Sequence, residues 1–141
     1  MLPEGPLFHK PSSIIAVINI LYATLFLGII NWAIGRWGTN PPPSFPIEEA
    51  VYSLVTLGII FSLIKLIGLG KKWARVVLLV LFVLSILIFP AALGPIFKFN
   101  LLVGVLTIFN ALLQGVALVF LFSKASTQWF NHVHSFTENE A

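Results

Sequence analysis

The sequence predicts an all-α integral membrane protein, a four-helix transmembrane bundle with both termini on the cytoplasmic side. Three observations predict it. Hydrophobic residues make up 58% of the 141 residues and charged residues 9%, against about a quarter charged in an ordinary soluble domain. With a mean hydropathy of +1.00, the chain has too few polar groups to cover a water-facing surface. Four apolar stretches reach the roughly 20 residues that cross about 30 Å of hydrocarbon at about 1.5 Å per residue. Finally, the eight Lys and Arg divide unequally between the two sets of helix ends and loops.

The first stretch, about 14–34, is introduced by Pro11, Ser12 and Ser13, a proline and two hydroxyl N-cap candidates. Ala33 and Gly35 loosely resemble a signal-peptide cleavage site, but the apolar run exceeds the roughly 7–15 residues of a signal core, so the helix is expected to stay. The second stretch, about 50–67, follows "NPPPSFPIEE". Its prolines forbid a continuous helix and stiffen the loop, and Glu48 and Glu49 fall in the first turn, where the helix dipole favours negative charge. The third runs from about 73 to 93 with Pro90 near its far end, and the fourth covers about 101–122. Residues 123–141, "SKASTQWFNHVHSFTENEA", are too polar to continue it and predict a solvated cytoplasmic tail on a single transmembrane domain.

With four spans, Lys10, Lys65, Lys71, Lys72, Arg75 and Lys124 share one side, and Arg36 and Lys98 take the other. The positive-inside rule then places the first side, and both termini, in the cytoplasm. The stretch "GLGKKWARVVLLVLFV", 68–83, becomes the turn between the second and third spans. Trp73 falls at headgroup level, and Lys71, Lys72 and Arg75 are candidate contacts for lipid phosphate. A turn "GKKWAR" at Gly70–Arg75 before the third span, and an exit "SKASTQWF" at Ser123–Phe130 after the fourth, resemble small uncharacterised four-span bacterial inner-membrane proteins in which a glycine, basic and Trp-Ala-Arg turn recurs. The resemblance implies an inner-membrane location and this topology, and no activity.

Intramembrane polar residues are the candidate functional groups, because they are expensive in hydrocarbon. Thr107, Asn110 and Gln114 fall at i, i+3 and i+7 on one stripe of the fourth helix, beside a small-residue stripe of Gly104, Ala111 and Gly115 where another backbone could approach. On the first helix Thr24, Gly28 and Asn31 share a face, with Asn19 and Tyr22 on another; on the second, Gly58, Ser62 and Lys65 align. Asn110, Gln114, Thr107, Asn19 and Asn31 therefore form the candidate intramembrane polar site, alternatively read as interhelical hydrogen bonding alone. Lys65 is close enough to its helix end to snorkel. The third helix, apolar all round apart from Ser85, is expected to face lipid.

Reactive chemistry is poorly supplied. The chain has no Cys and no Asp, which removes thiolate nucleophiles, cysteine zinc sites and aspartate-centred catalysis. Glu48 and Glu49 are adjacent and so diverge by about 100° on a helix, and "HVH" at His132–His134 has no third ligand nearby. Neither a cofactor nor a metal is expected. The basic residues are scattered among helix ends rather than gathered into a nucleic-acid-binding patch, so the expected partners are membrane lipid, another membrane protein or a second copy. The sequence predicts a non-enzymatic multi-pass membrane protein acting through protein interactions, as an accessory subunit or an immunity-type protein against a membrane-acting toxin. The alternatives are a small oligomeric transporter or channel, which the absence of a buried acid weakens, and a lipid-binding membrane protein.

Overall fold

The structure, a computed structural model, describes residues 10–37 and 47–139, with backbone alone at 37, 49, 92, 99 and 136–139. The proline-rich loop at 40–46, Glu4 and Glu140 lie outside the described residues. Among those residues the chain forms α1 (Ser12–Trp37), α2 (Ile47–Gly68), α3 (Lys72–Phe99), α4 (Leu101–Leu121) and α5 (Lys124–Asn139). Four of these, α1 to α4, contain segments long and apolar enough to cross a membrane.

Local chemistry explains the boundaries. Helix α1 starts where the Ile14 amide bonds the Pro11 carbonyl at 2.9 Å. Ser13 does not serve as a cap; its hydroxyl reaches across the fold to Ser126. The third helix runs past its expected end near 93, with Pro90 and Pro95 inside it. Each proline deletes one intrahelical hydrogen bond, but both lie exposed. What stops α3 is Asn100. Its backbone is extended (φ −158°, ψ 115°), and its side-chain oxygen accepts from the amides of Leu102 at 2.9 Å and Val103 at 3.3 Å. One residue thus ends α3 and caps α4.

The four long helices form an antiparallel ring. Tyr22 of α1 meets Phe61 of α2 with ring centroids 5.9 Å apart, and Gly68 at the end of α2 lies beside Ile18. Helix α4 packs along α1 through Asn31 and Thr107, and along α3 through Gly104 against the Phe97 ring and Gly115 against Phe82. Helix α3 contributes least to the interior: 6% of its apolar window is buried, compared with 22% for α1. This antiparallel order gathers Lys10, Lys65, Lys71, Lys72, Arg75 and Lys124 at one end of the ring, here called the basic end, and puts Arg36 and Lys98 at the other.

The fully buried core sits at the basic end. Ile14, Val17 and Leu21 of α1 interlock with Leu63, Ile64 and Ile67 of α2, Ala117, Leu118 and Leu121 of α4, and Ala74 of α3. Trp129 and Phe130 of α5 close it. Within 123–135 this corrects the reading of 123–141 as a solvated tail. Average polarity concealed an amphipathic repeat: Ser126, Trp129, Phe130 and Val133 recur at helical spacing and turn one face inward.

The small-residue stripe also departs from expectation. Gly104 is filled by the Phe97 ring rather than by a neighbouring backbone, since a Cβ there would lie 2.7 Å from two ring carbons. Ala111 and Gly115 line an open apolar groove of about 720 Å³ between α3 and α4, with Phe82, Phe89, Leu112 and Val116. Large phenylalanines on α3 hold its backbone off α4, so the small residues form a groove floor instead of a backbone contact.

Candidate functional site

Two places gather the polar groups. The first is the seam between α1 and α4. The antiparallel register sets Asn31 opposite Thr107, Gly28 opposite Asn110 and Thr24 near Gln114, so the two polar stripes read separately from sequence face each other. The Asn31 amide nitrogen donates to the Thr107 hydroxyl at 2.8 Å, and that hydroxyl donates to the Val103 carbonyl at 2.7 Å. Asn110 Nδ2 lies 4.0 Å from where a Cβ on Gly28 would stand, so the missing side chain makes room for the amide. Oδ1 of Asn31 and Oδ1 of Asn110 are shielded and accept no hydrogen bond from the protein.

Toward the basic end the seam opens into a cavity of about 140 Å³ among all four long helices, lined by Thr24, Ser85, Gln114 and apolar residues including Ile60, Phe82 and Leu118. Two of its hydroxyls are already used within their own helices: Thr24 donates to the Leu21 carbonyl and Ser85 to the Leu81 carbonyl, each at 2.8 Å. The seam and cavity offer neutral acceptors and no charge. A side-chain amide such as that of Gln114 can both donate and accept there.

Of the predicted polar residues, Asn19 stands apart. It is exposed on the α1–α2 side, at the depth of Lys65, as the Tyr22–Phe61 and Ile18–Gly68 contacts on either side of it require. Gly58, Ser62 and Lys65 are likewise exposed along α2. The Lys65 ammonium lies 4.9 Å from the Phe61 ring centroid, a cation–π contact of modest strength at an exposed site.

The second place is the basic end, where Gly70–Arg75 and Ser123–Phe130 pack against each other. Gly70 adopts φ +79°, and Val133 and Trp129 of α5 lie directly over it. Ser126, fully buried, donates to the Phe120 carbonyl at 2.8 Å and accepts from Ser123 at 3.1 Å. With its own proton committed, it accepts from Ser13 at 3.0 Å, which ties α5 to the first turn of α1.

Arg75 is drawn into this junction. Its guanidinium carbon stands 5.2 Å from the Phe122 ring centroid and 5.0 Å from that of Phe130. Its Nη1 lies 3.5 Å from the Thr127 hydroxyl, and its Nε is shielded without a hydrogen-bond partner. Lys71 and Trp73 are exposed and Lys72 half-buried. The aromatic cage was missed from sequence because Arg75 lies about 50 residues from the rings that hold it; the available signal was the recurrence of Ser126, Phe130 and Val133 on one side of a helix with polar composition, just after Phe122.

Among the described residues, no three His or Glu side chains converge on a point. Compared with protein-family models, curated proteins and solved structures, the chain matches none.

The seam yields a prediction about which of its polar groups matters. Asn31→Leu removes one hydrogen bond, about 0.6 and at most about 1.7 kcal/mol between membrane helices. It also removes a shielded acceptor without a partner, which costs about 1–3 kcal/mol. The variant should melt within a few degrees of wild type, or above it. Thr107→Val should be the more destabilising change, because it leaves the Asn31 donor unpaired beside the acceptor. Thermal unfolding in detergent decides the order. A lower melting temperature for Asn31→Leu than for Thr107→Val would show that the Asn31 Oδ1 has a role the fold alone does not explain.

Proposed function

We propose that this chain is a non-enzymatic integral protein of the bacterial inner membrane, with both termini cytoplasmic, that works by docking a helix of another membrane protein, as an accessory subunit or an immunity-type protein would. The observation that carries the reading is the outward stripe on α2. Gly58 has nothing within 4 Å of where its Cβ would stand, and Ser62 and Lys65 continue the same face, exposed. Small and polar residues on an outward face of a membrane helix favour a second helix over lipid, because a close backbone approach and interhelical hydrogen bonds become available there. The fold does not use this face, whereas it does use the corresponding stripes of α1 and α4. The unequal division of basic residues between the two ends supports the orientation. The resemblance of Gly70–Arg75 and Ser123–Phe130 to bacterial inner-membrane chains supports the location.

The reading has two checks. The chain should remain with membranes after alkaline carbonate extraction, and a reporter fused after Ala141 should behave as cytoplasmic. A photo-crosslinking residue at position 58 or 62 should give a discrete protein adduct in native membranes, and the same residue at 80 or 84 on α3 should not. If all four positions give the same lipid-only pattern, α2 has no partner helix and the interaction reading fails.

A second reading, a small oligomeric transporter, rests on the cavity of about 140 Å³ beside Gln114. Solute flux in proteoliposomes that is lost in Asn110→Leu would favour it over the first.

A further inference from the structure

The basic end holds a second cavity that neither reading uses. It has a volume of about 490 Å³ and lies between the α2–α3 turn and α5, lined by Leu69, Gly70, Lys71, Lys72, Trp73 and, from α5, Val133 and His134. Among the described residues the lining includes Lys71 and Lys72 and no Glu. The turn that presents them is held by backbone bonds, Gly70 N–H to the Ile67 carbonyl and Lys71 N–H to the Leu66 carbonyl, each 3.0 Å. Both lysines therefore project from a fixed backbone into one concave space, and the chemistry that space recognises is a phosphoryl anion.

A second, separate feature extends from its mouth. Trp73, Val76, Val80 and Leu84 succeed one another at helical spacing down α3, all about half exposed (54%, 50%, 50% and 51%). Leu69 adds an apolar edge at 65% exposure. A cation-lined recess directly above an uncovered apolar track matches a molecule with an anionic head and a hydrocarbon chain.

We infer that the cavity over the α2–α3 turn is a headgroup site for an anionic phospholipid of the leaflet at the basic end. Lys71 and Lys72 hold the phosphate, Trp73 covers the glycerol level, and one acyl chain runs along Val76, Val80 and Leu84. Arg75 takes no part, being engaged by Phe122, Phe130 and Thr127. The inference rests on the membrane-embedded reading above; failure of that reading would show in carbonate extraction, before any lipid is added.

The test titrates the purified full-length protein, in phosphatidylcholine-containing micelles, with phosphatidylglycerol and follows the melting temperature. Phosphatidylglycerol should raise it saturably, and extra phosphatidylcholine or inorganic phosphate should not. Each lysine near an anionic surface contributes about fivefold in affinity, so Lys71→Gln with Lys72→Gln should weaken the apparent affinity about 30-fold. Their unliganded melting temperature should stay near wild type, because both side chains project from the turn. If the double variant does not fold, the two single variants carry the same test at about fivefold each. Lys10→Gln with Lys124→Gln removes equal charge from the same end but outside the cavity, and should leave the titration unchanged. Equal loss in both double variants would reduce the effect to general surface charge and overturn the site. A wild-type response in the Lys71, Lys72 variant would overturn it as well. An equal rise with inorganic phosphate would make it a free-anion site, and the lipid assignment would fall.

Discussion

Replacing Phe130 by alanine should lower the unfolding free energy by about 3–5 kcal/mol, the cost of deleting a fully buried aromatic side chain. Phe130 is 0% exposed, and the loss would not stop at its own contacts. The ring is one of two that face the Arg75 guanidinium, at 5.0 Å, and a desolvated cation–π contact contributes about 2 kcal/mol. Without it the arginine borders a cavity with its Nε still unpartnered, so α5 should lose its seat on the bundle. Phe130→Leu, which keeps most of the apolar volume but not the π face, should fall between wild type and alanine. Thermal unfolding in detergent, together with limited proteolysis within 124–139, measures both consequences. If Phe130→Ala melts with wild type and its α5 is cut no faster, the residues after Phe122 are the solvated tail that their composition suggested.

The contrast between that tail and the four long helices shows where sequence patterns carry structure and where they do not. The long apolar helices were legible because a run of about 20 apolar residues has few alternatives; the predicted and observed limits differ by only a few residues for α1, α2 and α4. Two other features were hidden. The third helix was expected to end near 93, just past Pro90, yet a proline ends a helix only where the lost hydrogen bond and the ring clash cannot be absorbed, and here Asn100 sets the boundary through its side-chain cap. Helix α5 was hidden by averaging, since Gln128, Asn131 and Ser135 dilute the inward face of Ser126, Phe130 and Val133.

The seam shows a different limit. Thr107, Asn110 and Gln114, and likewise Thr24, Gly28 and Asn31, could be read as stripes from periodicity alone. That the two stripes meet each other depends on which helices are neighbours in the ring, and helical periodicity holds no information on that. The same limit applies to Gly115. A small residue permits close approach, but the size of Phe82 on the opposing helix decides what approaches.

Gly70→Ala should be the second severe change, at about 2–5 kcal/mol, from two causes that can be separated. The backbone at φ +79° lies in the left-handed region, which costs an L-residue about 1–2 kcal/mol. The new Cβ would also stand 2.7 Å from Val133 Cγ1 and 3.2 Å from Val133 Cβ. The first atom can rotate away, but the second moves only if α5 lifts off the turn, and overpacking of this kind costs about 1–3 kcal/mol. Shortening Val133 to alanine removes Cγ1, and so relieves the closest contact while leaving the dihedral cost in place. Gly70→Ala should therefore be about 1 kcal/mol less destabilising in the Val133→Ala background than in wild type, a coupling of the size expected for residues in contact. Additive effects would mean that α5 does not sit on the α2–α3 turn. In that case the cavity that Gly70 and Val133 share with Lys71 and Lys72 would also lose its wall, and the lipid site would lose its geometry.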